Sequence, residues 1–160
     1  MAYRKKSWQE KLLHSKGLPK IERPSAKIAK RWGIQPDAKV LIPAPIEVDE
    51  IMKQVPYGKL ITINQIRKAL ASKHKADVCC PLTTGIFAVI VAYASEERKA
   101  QGKGDLTPYW RILKGGGVLN EKYPGGIENQ MHLLKKEGHT IIACGKKYIV
   151  KDFEKYLFEF

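Results

Sequence analysis

Apolar positions recur at helical spacing in three stretches of this chain. Ile46, Val48, Ile51, Met52 and Val55 predict a short amphipathic helix over residues 46–55. It follows a stiff connector, Leu41-Ile-Pro-Ala-Pro45. Pro56-Tyr57-Gly58 is a turn and Leu60-Ile61 a short extended piece. Thr62-Ile-Asn-Gln65 has the form of a capping box, so a helix starts there with Ile63, Ile66 and Leu70 on one face. His74 to Cys80 reads as a connector. A longer helix is predicted from Leu82 or Thr83 to Lys99, with Gly102 and Gly104 beyond its end. Gly115-Gly116-Gly117 turns between short extended pieces. Pro124-Gly125-Gly126 opens a helix over 127–137, with Ile127, Met131 and Leu134 on one face and Gly138 as its stop. Thr140–Cys144 and Lys147–Val150 flank Gly145-Lys146 as a hairpin. Asp152–Phe160 is amphipathic and predicts a last short helix. The chain therefore reads as mainly α with a few short strands. It divides into an extension (1–44), a body (45–140), and a hairpin with a short helix packed on that body (141–160).

Charge changes this picture at one end. The 160 residues carry a formal net charge of +13. Residues 1–31 hold ten Lys/Arg against two Glu, or +8, which leaves +5 for the other 129. Gly17, Pro19 and Pro24 break this segment, so it reads as a basic arm, either solvated or laid against a polyanion. Nucleic acid is the commonest such partner and an anionic membrane surface the next. The longest apolar run, Ile86 to Ala94, is too short to cross a bilayer, and no signal-peptide pattern is visible. Cys79, Cys80 and Cys144 are odd in number and lack framework or zinc spacing, which suits free thiols in a reducing cytoplasm. A cytoplasmic, nucleoid-associated monomer without metal or cofactor is expected.

Two consecutive helices in a basic protein suggest a helix-turn-helix. The first turns of the second helix, Thr83 to Ile90, contain no Arg, Lys, Asn or Gln, the side chains that pair with major-groove base edges. Thr83, Thr84, Gly85 and Ala88 are small enough for close approach to a phosphate backbone, and the apolar residues suit a minor groove. The same composition also fits a buried core helix, in which Gly85 and Ala88 permit close packing.

Four blocks in order carry a family resemblance: Val55-Pro-Tyr-Gly-Lys-Leu-Ile-Thr62; Asn64-Gln-Ile-Arg-Lys-Ala-Leu70; Thr107-Pro-Tyr-Trp-Arg-Ile-Leu113; and Gly117-Val-Leu leading through Tyr123-Pro-Gly-Gly126 to Leu133-Leu-Lys-Lys-Glu-Gly138. They resemble the DNA-binding and active-site domain of the alkylguanine-DNA alkyltransferases, the methylated-DNA–protein-cysteine methyltransferases. That likeness implies a helix-turn-helix, winged-helix-like fold. It also implies a reaction in which a damaged guanine is flipped from the duplex and gives its alkyl group to a cysteine thiolate. A histidine activates that thiolate and a glutamate orients the histidine.

The family's Pro-Cys-His-Arg-Val is Pro108-Tyr109-Trp110-Arg111-Ile112 here. Tyr109 thus stands at the nucleophile position, Trp110 at the base, and Glu137 at the orienting carboxylate, left with no imidazole to orient. A phenol with a pKa near ~10 is not a soft nucleophile at neutral pH, and an indole N–H accepts no proton. Transfer is expected to be absent. The resemblance is to the alkyltransferase-like sub-group, in which Trp replaces the cysteine. Those proteins bind damaged guanine and flag it for excision repair. The family's nucleotide-rotating Tyr is Ile63, and Asp77 lies near the place of the arginine that fills the flipped base's gap.

By this resemblance Thr62, Asn64, Thr83, Thr84, Gly85, Ala88 and Arg111 are candidates for DNA contact. Tyr109, Trp110, Tyr123, Gly125 and Gly126 are candidates for the pocket, where the two rings either stack on a base or fill the space. Two other readings stay open. One is an RNA- or protein-binding module with a vestigial pocket. The other is an active transferase with its acceptor displaced to Cys80.

Overall fold

The structure is a computed structural model in which residues 5–160 are described. Arg4, counted above in the basic segment, lies outside the described residues. The body is built on helices α3 (Pro45–Met52), α4 (Ile63–Lys73) and α5 (Pro81–Ala100). Each starts where the local chemistry dictates. Pro45 and Pro81 occupy the first turn of their helices, where a missing N–H costs nothing. The Thr62 hydroxyl accepts from the Gln65 amide while the Gln65 side chain returns to the Thr62 amide. The observed fold is mainly α with short strands, as the apolar spacing predicts.

Two strands fall where the sequence reads as connector. β2 (Val40–Ile42) pairs antiparallel with β1 (Lys20–Glu22) and parallel with β4 (Val78–Cys79), which lies between α4 and α5. These strands are two or three residues long and bounded by Pro43 or Pro81. Only pairing with a distant segment makes them strands. A second parallel pair, β3 (Ile61–Thr62) with β5 (Ile112–Leu113), sets the start of α4 beside the Tyr109–Arg111 turn.

The N-terminal segment differs from a free arm. Ser7 and Glu10 form a capping box at the start of α1 (Trp8–Leu13). Glu97 on α5 accepts from the amides of Trp8 (3.1 Å) and Gln9 (2.9 Å). Leu12 is buried, and Trp8 stacks on Tyr93 with ring centroids 4.6 Å apart. α2 (Ala26–Trp32) is capped by Ser25 and buries Ala29. Residues 5–44 are therefore packed and strand-paired against the body. The Ser-x-x-Glu box and the Trp8/Leu12 spacing were the signals for this in the sequence.

α6 (Gly126–Lys136) and the hairpin β6 (Ile141–Cys144) with β7 (Lys147–Val150) complete the domain. The expected last helix is only one 3-10 turn, Phe153–Tyr156. Beyond it Leu157 pairs with Leu60. The Leu60 amide donates to Tyr156 O (2.9 Å), and Phe158 N donates to Leu60 O (2.8 Å). Leu60 is fully buried, so its backbone needs these partners more than the tail needs a helix.

Two apolar clusters result. The larger joins α3, α4 and α5 with Tyr109, Ile112 and Tyr123. The smaller holds Leu60, Leu113, Leu119, Leu134 and Val150. Trp110 packs against both.

Two stability predictions follow from this packing. Gly117 has φ +78°, and an added Cβ there would collide with the Phe153 ring. Gly117→Ala should lower the unfolding free energy by at least about 1–2 kcal/mol in urea titration. His139 is buried with the Tyr156 ring edge-on at 4.8 Å. Burial lowers its pKa below the usual 6.5, outweighing the opposing pull of Glu137. The unfolded chain therefore takes up the proton first as pH falls. The stability contribution is complete above about pH 6.5 and is lost toward the lower native pKa. His139→Phe should flatten the melting temperature between pH 7.5 and 5.5.

Candidate nucleic-acid interface

The turn at 109–111 carries the residues aligned with the family's chemistry. Tyr109 is completely buried. Its hydroxyl donates to Glu96 Oε1 (2.7 Å) and accepts from Asn129 Nδ2 (3.1 Å). Its ring meets Trp110 at 5.4 Å and Tyr123 at 5.5 Å, both edge-on. Burial first, then the hydrogen bond to Glu96 and its charge, push the phenol pKa well above its ordinary value. Tyr123 is 1% exposed, with burial likewise raising its pKa. Tyr109 and Tyr123 thus fill the space between α5 and α6, closed over by Trp110. Gly125 lies on the surface beside them with φ +77°, and Gly126 is half-buried at the start of α6.

Glu137 keeps a full set of partners although the chain has no histidine for it to orient. Trp110 Nε1 donates to Oε2 at 2.6 Å, Arg111 Nε approaches both oxygens at 3.0 Å, and the Gly58 amide donates to Oε1 at 2.8 Å. The carboxylate is 4% exposed. The indole supplies a ring N–H donor, which is what the carboxylate requires. Arg111 also donates to Val55 O (2.7 Å) and is 13% exposed, so it ties loops together. The loop before Tyr109 is held by a second buried network. Thr107 donates to Asp49 (2.6 Å), and Arg98 reaches Thr107 Oγ1 (3.1 Å) and Asp105 O (2.6 Å).

The helix phase of α5 differs from the sequence expectation. Thr84 and Ala88 are completely buried, and the Thr84 hydroxyl donates to Cys80 O (2.7 Å). Thr83 has its hydroxyl oxygen inside, and Thr62 is 8% exposed and occupied as a cap. Thr62, Thr84 and Ala88 are thus turned into the body. At 100° per residue, burying Thr84, Ala88, Val91 and Ser95 turns Leu82, Gly85, Ile86 and Val89 outward. Leu82 is 69% exposed and Ile86 49%.

This face borders a groove of about 610 Å³, lined also by Ile63, Asn64 and Trp8 and rimmed by Lys11, Lys114 and Lys122. It shares Lys114, Gly115 and Glu121 with a groove of about 380 Å³ that runs to Lys146 and Lys147 on the hairpin. It shares Asn64 with another of about 390 Å³ over Arg67 and Lys68. That one shares Asp77 with a fourth, about 630 Å³, beside Arg23 and Lys39. One continuous, mostly basic track therefore crosses the exposed side of α5. Two of its acids are engaged, Glu121 by Lys114 (2.7 Å) and Asp77 by the Lys39 amide (2.8 Å), and Asp37 also lines the fourth groove. Arg67 fixes the inter-helix turn by donating to Cys79 O (2.9 Å) and Asn64 Oδ1 (3.1 Å). Sequence reasoning missed Leu82, Ile86, Trp8 and the hairpin lysines. The helical phase set by the Thr84/Ala88/Val91 stripe was the signal for the first two.

Cys79 and Cys80 are both buried. Burial raises the Cys79 thiol pKa, against the Thr84 hydroxyl at 3.3 Å. Among the described residues no group of three His, Cys, Asp or Glu is placed to hold a metal. No described helix is long and apolar enough to cross a membrane.

A helix pair set against a Tyr-Trp-Arg turn, a buried carboxylate and α6 gives the chain an alkyltransferase-like fold. No family model matches the chain, and no curated protein sequence matches it. In three dimensions it is similar to S. pombe ATL in complex with DNA, with a TM-score of 0.53 and 16% identity. It is also similar to S. pombe Atl1 in complex with damaged DNA containing O6-carboxymethylguanine, with a TM-score of 0.48 and 17% identity. Each match covers 72% of this chain and 94% of the other.

The buried carboxylate yields a graded prediction. Glu137→Ala strands the Arg111 guanidinium, the Trp110 indole and the Gly58 amide, and should cost about 3–5 kcal/mol of unfolding free energy. Trp110→Phe removes one charge-assisted donor and should cost about 1.5–3 kcal/mol in the same denaturant titration.

Proposed function

We propose that this protein is a non-catalytic, alkyltransferase-like duplex-DNA-binding protein acting in DNA repair, with α5 at the minor groove. One observation carries the reading. The position of the acceptor thiol holds a buried phenol fixed by Glu96 and Asn129, while the outward face of α5 lies exposed on a lysine-rimmed track. The similar S. pombe ATL structure is a complex with DNA, which supports the same class of partner. The net charge of +13 favours encounter with any polyanion, and the shape of the α5 face favours a groove over a flat surface.

With Tyr109, Trp110 and Tyr123 filling the space beneath α5, duplex contact is made by the surface. Reading an alkylated guanine requires those rings to move aside. A protein of this kind acts as a marker, so excision-repair proteins are its proposed downstream partners and a monomer its proposed state.

The test is a titration with two duplexes, one bearing a single O6-methylguanine and one plain, at 50 and 200 mM salt, with mass spectrometry of the mixtures. Salt-sensitive binding of duplex with no mass gain on the protein is expected. A tighter grip on the modified duplex adds lesion reading. Lys68→Ala and Lys122→Ala should each reduce the slope of log affinity against log salt by about one. Preference for RNA over DNA would replace this reading with an RNA-binding module. A one-alkyl mass gain at Cys80 would replace it with a displaced-acceptor transferase.

A further inference from the structure

Resting on the duplex-binding reading, we infer that the amino-terminal extension carries a second phosphate-binding surface, the outer face of α2 with Lys27, Lys30 and Arg31, which holds the duplex backbone beyond the helix pair.

The charge of α2 is anomalous for a short surface helix. Its seven residues, Ala26–Trp32, hold three cations and no acid. All three cations are exposed, and none makes an ion pair or a side-chain hydrogen bond among the described residues. Lys30 and Arg31 suit the last turn, where a cation complements the helix dipole. Lys27 does not. It stands in the first turn, where the dipole repels it, and four residues before Arg31, the spacing at which like charges oppose each other. The inner face, Ile28, Ala29 and Trp32, is apolar and offers no compensation. An anion outside the chain offsets the repulsion.

The extension mounts this helix firmly on the helix pair. α2 lies between β1 and β2, and β2 pairs with β4 in the connector between α4 and α5. The Lys39 amide donates to Asp77 Oδ2 (2.8 Å), and its carbonyl accepts from the amides of Asp77 (2.9 Å) and Val78 (3.2 Å). Arg23 braces the same loop by donating to Asp37 O. Gly33, the cap of α2, lines the groove of about 630 Å³, which shares Asp77 with the groove over Arg67 and Lys68. α2 therefore stands at the end of the basic track. Asp37 and Asp77 also line that groove, so the anion seats on the helix face and not on the groove floor.

The surroundings favour a nucleic-acid backbone over a lipid surface. A helix that lies in a bilayer interface presents an apolar face to it. No large apolar side chain of α2 is exposed. A duplex lying along the track brings its phosphates to α2 in line with those at Arg67 and Lys68.

The experiment uses the full chain and a plain 20-base-pair duplex, with affinity measured by fluorescence anisotropy from 50 to 200 mM salt. Lys27→Gln/Arg31→Gln removes two charges and keeps most of each stem. Lys135→Gln/Lys136→Gln removes the same charge from exposed positions on α6, outside the track. The α2 variant should reduce the slope of log affinity against log salt by about two and bind about tenfold more weakly at 100 mM salt. Its melting temperature should hold or rise, because the repulsion within α2 is relieved. The α6 variant should keep the wild-type slope. Lys27→Arg should bind as wild type does. On a longer duplex, hydroxyl-radical protection by the α2 variant should shorten at one end only.

An unchanged slope for Lys27→Gln/Arg31→Gln would overturn the second surface while leaving duplex binding intact. Equal slope losses in the α2 and α6 variants would overturn it too, since charge would then act without place. Absence of duplex binding by wild type would overturn the functional reading and this inference with it. Loss of binding to vesicles containing phosphatidylserine, with the duplex slope kept, would reassign α2 to a membrane surface.

Discussion

A carboxylate sealed from water has to be surrounded by donors, and the placement of Glu137 organises much of this molecule. Its four short contacts come from Gly58, before β3, and from Trp110 and Arg111, in the turn before β5. They draw the opening turn of the body, the central turn and the end of α6 to one point. Arg111 extends the arrangement to Val55, and Gln130 on α6 holds the carbonyls of Trp110 (3.1 Å) and Ile112 (3.4 Å). Trp110 packs against both apolar clusters, so the polar knot and the core share a side chain. The carboxylate needs an N–H, and the Trp110 indole supplies it.

The same geometry encloses Tyr109, a buried phenol whose raised pKa keeps it protonated and a poor nucleophile. Its hydroxyl is committed to Glu96 and Asn129, and its ring is enclosed by Trp110 and Tyr123. The groove lies on the opposite, outward side of α5, lined there by Leu82, Gly85, Ile86 and Val89. Each surface of this helix has one task. The inner stripe of small residues lets Tyr109 and the body pack closely, and the outer stripe is left to solvent.

The long amphipathic segments, the capping box at Thr62 and the hairpin at Gly145 were legible in the sequence, because periodicity, cap chemistry and turn chemistry are local. β2 and β4 were not. A strand of two or three residues between prolines carries no period of its own and exists through pairing with a segment 38 residues away. The docking of α1 was half legible: Ser7 and Glu10 announce a helix, but nothing local announces that Glu97 will receive its amides. At the site, Tyr109 and Trp110 were legible as standing where the resembled family has its nucleophile and base. The rescue of Glu137 by the indole depends on a contact across 27 residues. The outward face of α5 was misphased because Thr84 and Ala88 are small, and small residues suit both close packing inside and close approach outside.

The pairing of β2 with β4 has a mechanical meaning. Residues 20–42 are hydrogen-bonded to the short strand that leads into α5, and the Cys80 amide at the cap of that helix donates to Leu41 O at 2.9 Å. The extension and the start of α5 are therefore two ends of one small lever. α1 grips the far half of the same helix through Glu97 and Tyr93. The amino-terminal segment thus braces α5 at both its beginning and its later turns, so the attitude of that helix is fixed from two places by residues far from it in sequence.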